Sequence, residues 1–326
     1  MDSIWYEHAF YSGSIVPAPL VSGKKTAETK RDNRKDQSMK RLFLAGALLC
    51  AMLIPASAAS AAPKGEYVNF AQCPLTNAAL DACIFSKSTG GEVKTGAKTV
   101  PVANPQVLQG GLEYLEGDVL GKLNFLAAKN GQTLVPTPQT VPGGLTGITA
   151  PTWWPKFIQD WFNGLINEGF TGVTATVELA GPVSAIKLNV LNSLIQNGIA
   201  LEMPVKIKLG NAILGSNCYI GSNSNPVVWK LTTGVTAPPP PNKPIVGAAG
   251  EFLPNETGTI ARVTGSKLVD NAFAVPGASG CGGIFSFLVD PLVNATVGVP
   301  SAAGNNHAIL NNNIELGDPA AVKASE

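Results

Sequence analysis

Histidine, arginine and cysteine are scarce in this 326-residue chain, and each scarcity excludes a class of function. The two histidines are His8 and His307, and Arg262 is the only arginine after residue 61. A serine-histidine-carboxylate triad in that part of the chain would have to use His307. Nucleic-acid binding needs a stripe of arginine and lysine. We therefore expect no nucleic-acid partner.

The spacing of the cysteines also argues against a metal site. Structural zinc sites use Cys-x-x-Cys or paired cysteine and histidine ligands, and neither pattern occurs after residue 61. The chain offers few clustered oxygen ligands for calcium, and the best cluster is Asn311-Asn312-Asn313 with Asp318. We assign no metal ion and no cofactor.

A secretory signal peptide is indicated near residue 40. Lys40-Arg41 precedes an apolar run from Leu42 to Ile54, which is followed by Pro55 and small residues up to Ala61. This order of basic, apolar and small residues is typical of a cleaved signal peptide. The apolar run is shorter than the roughly 20 residues that span a bilayer. We therefore expect no transmembrane anchor after cleavage, and we interpret Met39 as the start of the precursor.

The remaining chain is long enough for one large domain with a sizeable core. Eight of the 23 Lys+Arg and five of the 22 Asp+Glu precede residue 62, which leaves 15 basic and 17 acidic residues. A polybasic membrane-surface protein has an excess of basic residues. Here the acidic residues are slightly in excess, so we exclude that class. We predict a disordered upstream extension at 1–38, a signal peptide at 39–61, one disulfide-stapled domain at 62–326, a proline-rich surface excursion at 236–244 and a disordered tail from about 319.

Four cysteines follow the signal peptide, namely Cys73, Cys83, Cys218 and Cys281. An even number in an exported chain indicates disulfide bonds, and four cysteines allow three connectivities. The spacing favours Cys73 with Cys83 and Cys218 with Cys281. The second pair lies among glycines, where the backbone turns sharply and two segments can approach closely.

Alternating apolar and polar residues predict β-strands over much of this domain. The clearest alternation runs from Leu201 to Leu209, and a second runs from Val173 to Leu179. Pro204 cannot donate a ladder hydrogen bond, so it predicts an edge strand or a bulge. The fold class is therefore mainly β, an antiparallel sandwich or barrel-like domain with two or three short helices. The alternative is α+β.

Two stretches read less regularly. Residues 117–150 are rich in Gly, Pro and Thr, and we predict mostly irregular structure there. Residues 284–293 form an apolar run too short to span a membrane. We expect this run to be buried as a short helix or strand broken by Pro291.

Residues 152–170 read as a helix with an aromatic face. Three of the five tryptophans fall within nine residues here. One interpretation is an amphipathic helix packed against the core. The other is a lid or interfacial helix whose rings face lipid, a glycan or a partner. The candidate ligand or interface residues are Trp153, Trp154, Phe157, Trp161 and Phe162.

Short blocks through the chain resemble a family of exported actinobacterial proteins with no assigned function. The blocks are Phe70-Ala71-Gln72-Cys73-Pro74, Leu108-Gln109-Gly110-Gly111, Gly215-Ser216-Asn217-Cys218-Tyr219-Ile220-Gly221-Ser222, Leu231-Thr232-Thr233-Gly234, Pro238 to Pro241 with Asn242-Lys243-Pro244, Leu268-Val269-Asp270-Asn271, Gly280-Cys281-Gly282-Gly283 and Pro300-Ser301-Ala302-Ala303-Gly304. The resemblance covers nearly all of residues 62–326, and the segment from Trp153 to Trp161 departs from it. It implies secretion, and it places the proline run inside the family's common domain.

Catalytic patterns are weak. No Gly-x-Ser-x-Gly elbow accompanies His307. Five carboxylates that would suit glycoside hydrolysis show no spacing that selects a pair, namely Glu113, Glu116, Asp118, Asp160 and Glu178. We therefore expect a secreted or cell-envelope-associated protein, a non-enzymatic binding or structural module for an apolar ligand, a glycan or an envelope component. The alternative is a secreted hydrolase acting on envelope polymer or lipid.

Overall fold

A computed structural model describes residues 61–115, 118–167 and 171–326. The predicted extension at 1–38 and the signal peptide, apart from Ala61, lie outside the described residues. The described residues belong to one compact unit. Within those ranges, no helix combines the length and apolarity needed to cross a membrane.

The described part of the chain is mainly β, with 38% strand and 19% helix, which confirms the predicted fold class. The strands in chain order are β1 (Ala82–Thr95), β2 (Lys98–Pro101), β3 (Val107–Leu115), β4 (Asp118–Leu126), β5 (Leu134–Val135), β6 (Gln139–Thr140), β7 (Thr174–Leu179), β8 (Lys187–Asn189), β9 (Leu201–Gly210), β10 (Tyr219–Ile220), β11 (Val227–Leu231), β12 (Glu251–Pro254), β13 (Ile260–Asp270), β14 (Ala278–Ser279) and β15 (His307–Gly317). The α-helices are α1 (Lys156–Asn167), α2 (Val190–Ile195), α3 (Ser286–Val297) and α4 (Pro319–Ala324), and 3₁₀ turns occupy Gly65–Phe70, Val183–Ala185 and Gly283–Phe285.

All described strands join in one antiparallel sheet that closes on itself. The order β13, β15, β1, β3, β4, β8, β9 runs through successive ladders, and β11 pairs with β9. An antiparallel bridge between Thr232, just after β11, and Val269 of β13 joins the two ends. The resulting architecture is barrel-like, with the side chains of one sheet face turned inward.

Strand β9 shows how the sequence produces this wall. Its residues alternate between buried and half-buried along all ten positions, as the period of a strand requires. Pro204 accepts a hydrogen bond from the Ala180 N–H at 3.0 Å, at the junction where β7 ends and β8 begins. The prediction of an edge strand or bulge is wrong, because β9 pairs with β11 on one side and with β7 and β8 on the other. Pro204 lies where β7 gives way to β8, so no ladder hydrogen bond there requires the N–H group that proline lacks.

Most of the described residues in 117–150 are irregular, as predicted, but that prediction missed one long strand, and the prediction of a disordered tail is wrong. Residues 118–126 form β4, whose Leu123 and Phe125 are buried in the core. The tail from 319 forms α4, because the Asp318 carboxylate accepts the N–H groups of Ala320 and Ala321 and so caps the helix. Val322 is fully buried and anchors this helix.

The four cysteines form the two predicted disulfides. Cys73 bonds Cys83, which joins the N-terminal segment to β1. Cys218 bonds Cys281, which joins the start of β10 to the segment between β14 and α3. All four are buried. Two disulfides indicate that the chain folds in an oxidising environment.

Residues 236–244 are mostly exposed. The side chain of Asn242 nevertheless donates to the carbonyl oxygens of Asn271 at 2.9 Å and Asn306 at 2.8 Å. The Asn271 side chain in turn donates to the Lys243 carbonyl at 2.8 Å. The proline-rich segment is thereby fastened to the loops that flank β13 and β15.

Candidate ligand-binding cavity

A cavity of about 330 Å³ lies inside the sheet, beneath α3. Pockets for small molecules typically measure about 300–1,000 Å³ and have mostly apolar walls. Aliphatic side chains from strands and from α3 form most of the lining here. The sequence predicted a β-rich core, and it did not predict that this core contains an open space.

One wall of the cavity comes from the β7–β9 ladder. Leu209 and Ile207 of β9 lie directly opposite Ala175 and Val177 of β7, and all four side chains line the cavity. Met203 extends the same face of β9. Because alternate residues share one face of a strand, the alternation that predicted these strands also places their apolar side chains in this wall.

Helix α3 forms the roof. Val289, Val293 and Val297, spaced by four residues, turn toward the cavity, as one face of a helix does. Leu292 lines the cavity while 67% of its surface stays exposed, and Ile213 does so while 44% exposed. These two side chains therefore lie at the rim.

The prediction that residues 284–293 are buried is wrong. Ile284, Phe287 and Leu288 are exposed by 85%, 70% and 62%. The inner face of the helix meets the cavity, and its outer face, although also apolar, is exposed. Pro291 lies inside α3 without ending it.

The start of α3 is fixed by a carboxylate and a disulfide. Asp290 accepts the N–H of Cys281 at 2.7 Å and that of Gly280 at 3.2 Å. Asn294 accepts the N–H of Ala278 at 2.7 Å. At the other end of the helix, the Val297 carbonyl accepts the Ala97 N–H from the turn between β1 and β2 at 2.7 Å.

The predicted aromatic helix is shorter than 152–170, since α1 begins at Lys156 and ends at Asn167, while residues 168–170 lie outside the described part. Its aromatic side chains divide between two faces. Trp153, Phe157 and Trp161 are exposed by 81%, 74% and 67%. The half-buried Trp154 and Phe162 pack edge to face with ring centroids 5.6 Å apart.

No residue of α1 is buried, so its interpretation as a core helix is wrong. Its role as an interface remains a prediction. The helix is nevertheless attached to the cavity wall, because Asn167 accepts the Gly143 N–H at 2.9 Å and Asn163 accepts the Ala150 N–H at 2.8 Å. Leu145, in the loop between these two attachments, lines the cavity, whereas no side chain of α1 does so.

The cavity carries few polar groups, and most of them bond to the backbone. Gln139 exchanges hydrogen bonds of 2.9 and 2.7 Å with the backbone of Asn104, and Gln106 donates to the Thr137 carbonyl at 2.9 Å. Two buried polar atoms of lining residues have no hydrogen-bond partner among the described residues, the Gln106 Oε1 and the Trp229 Nε1. Lys98 is the only charged side chain that the described residues contribute to the lining.

The catalytic candidates do not converge on this cavity. His307 lies 2.9 Å from Glu92, and neither residue lines the cavity. Three of the predicted carboxylates have separate partners, since Glu113 accepts from Asn124, Asp160 pairs with Lys156 and Glu178 accepts from Tyr219. Asp118 begins β4, and Glu116 lies outside the described residues. Within the described ranges, no group of three or more His, Cys, Asp or Glu residues is placed to hold a metal ion.

Asp270 is a buried carboxylate that sequence reasoning missed. It is 3% exposed and accepts the N–H groups of Lys230 at 2.7 Å and Ala272 at 2.9 Å. Burial raises the pKa of this carboxyl, and the two N–H groups oppose that rise. Because Asp270 does not line the cavity and both its oxygens bind the backbone, its role is to hold the end of β13 against β11.

Comparison with protein-family models, with curated proteins and with solved structures found no match. The fold and the cavity define a disulfide-bonded, mainly β protein with an internal apolar cavity.

Proposed function

We propose that this protein is a secreted or cell-envelope-associated, non-enzymatic binding module that holds an apolar ligand in the cavity. The observation that carries the proposal is an apolar space of about 330 Å³ enclosed by β-strands and roofed by α3. Burying the surface of an apolar ligand there contributes about 25 cal/mol per Å² removed from water.

Three observations support secretion. The segment from Lys40 to Ala61 has the order of a signal peptide. The two disulfides suit an oxidising compartment outside the cytoplasm. The sequence blocks also resemble a family of exported proteins, which makes membership of that family part of the proposal.

Binding is favoured over hydrolysis because the cavity lacks the groups for catalysis. Hydrolysis needs a nucleophile or base and an acid within reach of one bond. Among the described residues, Lys98 is the only titratable side chain in the lining, and His307, Glu113, Asp160 and Glu178 lie outside it.

The exposed apolar faces of α1 and α3 support contact with the lipid of the envelope. Asp290, the only charged residue of α3, bonds the backbone next to its helix, and the charges of α1 are an internal pair of Lys156 and Asp160. Both faces thus offer apolar area without net charge, and interfacial binding rises with such area. We infer that the protein docks on a lipid surface through these two faces, and that this docking does not depend on anionic head groups.

The test of ligand binding uses a fluorescent fatty-acyl probe and the oxidised protein. Ala175→Trp places a large side chain in the cavity, and we expect at least a tenfold weaker probe affinity with the fold retained in circular dichroism. Ala127→Trp is the matched control, because Ala127 is exposed and lies outside the lining. Equal probe affinity in wild type and Ala175→Trp would exclude the cavity as the binding site.

A further inference from the structure

We infer that the ligand is a single-chain amphiphile with an anionic head group, which pairs with Lys98 at the rim while its chain occupies the cavity. This inference rests on the proposed function, and it adds the chemical class of the ligand and the residue that orients it.

The position of Lys98 in β2 turns its side chain toward the cavity. The four residues of β2 alternate between half-buried and exposed, so Lys98 and Val100 share one face while Thr99 and Pro101 share the other. Both Lys98 and Val100 line the cavity. The ladder with β1 fixes this register, with Lys98 opposite Thr95, which also lines the cavity.

The ammonium group of Lys98 lies where the cavity wall meets solvent. A Cβ placed on Gly147 would lie 2.6 Å from the Lys98 Nζ, so the ammonium lies beside Gly147. Gly147 is exposed. Long cationic side chains commonly lay their methylene stem along an apolar surface and keep the charged end in water. Lys98 is arranged in this way.

This ammonium has no hydrogen-bond or ion-pair partner in the part of the chain that the structure describes. The other polar groups of the lining are neutral, and the two glutamines donate to the backbone. The rim therefore carries one unpaired positive charge beside an apolar space. This is the distribution of charge that a molecule with an anionic head and an apolar chain complements.

The energetics favour the same orientation. An ammonium forms short, charge-assisted hydrogen bonds with a carboxylate or a phosphate, and these are about twice as strong as bonds between neutral groups. An anionic head placed deep in the cavity would lose its hydration without a partner. The head therefore stays at Lys98, and the chain enters toward β7, β9 and α3.

A purely structural role for Lys98 is the competing explanation. The neighbouring Ala97 N–H bonds the Val297 carbonyl at the end of α3, and a cation near a helix C-terminus stabilises the helix. In that case, removing the lysine weakens the fold and affects every ligand equally. The experiment must therefore compare ligands that differ only in the charge of the head.

Oleate, oleyl phosphate and oleyl alcohol make that comparison, because they share one chain. Each would displace the fluorescent acyl probe from the oxidised wild-type protein, from Lys98→Ala and from Lys98→Glu. Lys87→Ala is the matched control, because Lys87 is exposed on β1 and lies outside the lining. Unfolding curves of each variant report its stability separately.

We expect the wild type to bind at least one of the anions about tenfold more tightly than the alcohol. Lys98→Ala should abolish that difference while leaving the affinity for the alcohol within twofold, and Lys98→Glu should reverse the preference. The preferred anion distinguishes a carboxylate from a phosphate head. Lys87→Ala should behave as wild type.

Equal binding of the anions and the alcohol would overturn the inference and leave the proposed function standing. An equal loss for all three ligands in Lys98→Ala would assign the lysine a structural role and also overturn the inference. Failure of all three to bind the wild type would overturn the inference and the proposed function together.

Discussion

The two long helices of the described chain differ in what their apolar faces contact. Helices α1 and α3 have twelve residues each, and both present large apolar side chains to solvent. Helix α1 buries no residue, whereas α3 buries Val293 and lines the cavity with one face. An exposed apolar face therefore does not identify the site by itself. What distinguishes α3 is that its opposite face encloses an apolar space.

The two helices are also attached differently. Two neutral amides, those of Asn163 and Asn167, bond α1 to the loop at 143–150. The Asp290 carboxylate and the adjacent Cys218–Cys281 disulfide hold α3. Hydrogen bonds to a charged acceptor are stronger than those to a neutral one. We therefore expect the roof of the cavity to be held more firmly than α1.

The largest effect should follow loss of the disulfide beside α3. Replacing Cys218 and Cys281 by serine opens a loop with a sequence separation of 63, and loop entropy predicts a loss of about 4 kcal/mol in unfolding free energy. The Cys73 and Cys83 pair, with a separation of 10, should cost about 3 kcal/mol. Urea denaturation measures both, and only the first variant should also weaken binding of the acyl probe. A reversed order of the two costs would contradict this.

The second-largest difference in stability between variants of the two helices should follow removal of the side-chain hydrogen-bond acceptors that hold them. Asp290→Ala leaves the Gly280 and Cys281 N–H groups without their acceptor, and should cost about 2 kcal/mol of unfolding free energy. Asn167→Ala removes one neutral hydrogen bond from the Gly143 N–H and should cost about 1 kcal/mol. If urea denaturation gives equal costs, the two helices are held equally firmly.

Side-chain truncation tests the difference in burial. Val293→Ala should cost about 1–2 kcal/mol, because it removes two buried methyl groups from α3. The double change Trp153→Ser with Trp161→Ser should alter the unfolding free energy by less than about 0.5 kcal/mol, because both rings are exposed. Thermal unfolding of the two variants checks this, and a large loss in the tryptophan variant would mean that α1 packs against the core.

The smallest effect on stability should come from the outer face of α3. Phe287→Ser with Leu288→Ser should change the unfolding free energy by less than about 0.5 kcal/mol. The same variant, like the one at Trp153 and Trp161, should sediment less with phosphatidylcholine vesicles, because interfacial binding rises with apolar area.

Two controls complete the vesicle experiment. Added phosphatidylglycerol or salt should leave vesicle binding by the wild type unchanged, because neither outer face carries net charge. Wild-type protein that ignores vesicles and instead forms a dimer, which the variants abolish, would show that a second copy covers these faces.

Much of the sheet could be predicted from sequence, because strand alternation is a local signal. Strand β9 alternates along its whole length, and the cysteine spacing favoured both disulfide pairs. Strand β4 was missed because its apolar residues lie within a stretch rich in Gly, Pro and Thr. The tail was missed although Asp318 as N-cap and Pro319 at the first helical position form a local start signal. Only the burial of Val322, which packs with Phe70 and Ile260, depends on contacts with distant residues.

The cavity could not be predicted, and the reason is physical. Its wall combines β2, β7, β9 and α3, which are separated by long stretches of sequence. Inward side chains alternate in the same way whether they meet across a filled core or across an open space. The apolar run at 284–293 was the nearest signal, but it predicted burial on every side, whereas only the inner face of α3 meets the cavity.

Photo-crosslinking tests the central claim, that the cavity under α3 holds the ligand, most directly. A fatty acid with a diazirine on its chain is bound to the oxidised protein and irradiated, and the labelled peptides are identified by mass spectrometry. Labels should fall in β9 (Leu201–Gly210), β7 (Thr174–Leu179) and α3 (Ser286–Val297), and Ala175→Trp should reduce them. Labels confined to α1 (Lys156–Asn167), unchanged in Ala175→Trp, would contradict the account and assign binding to the surface helix.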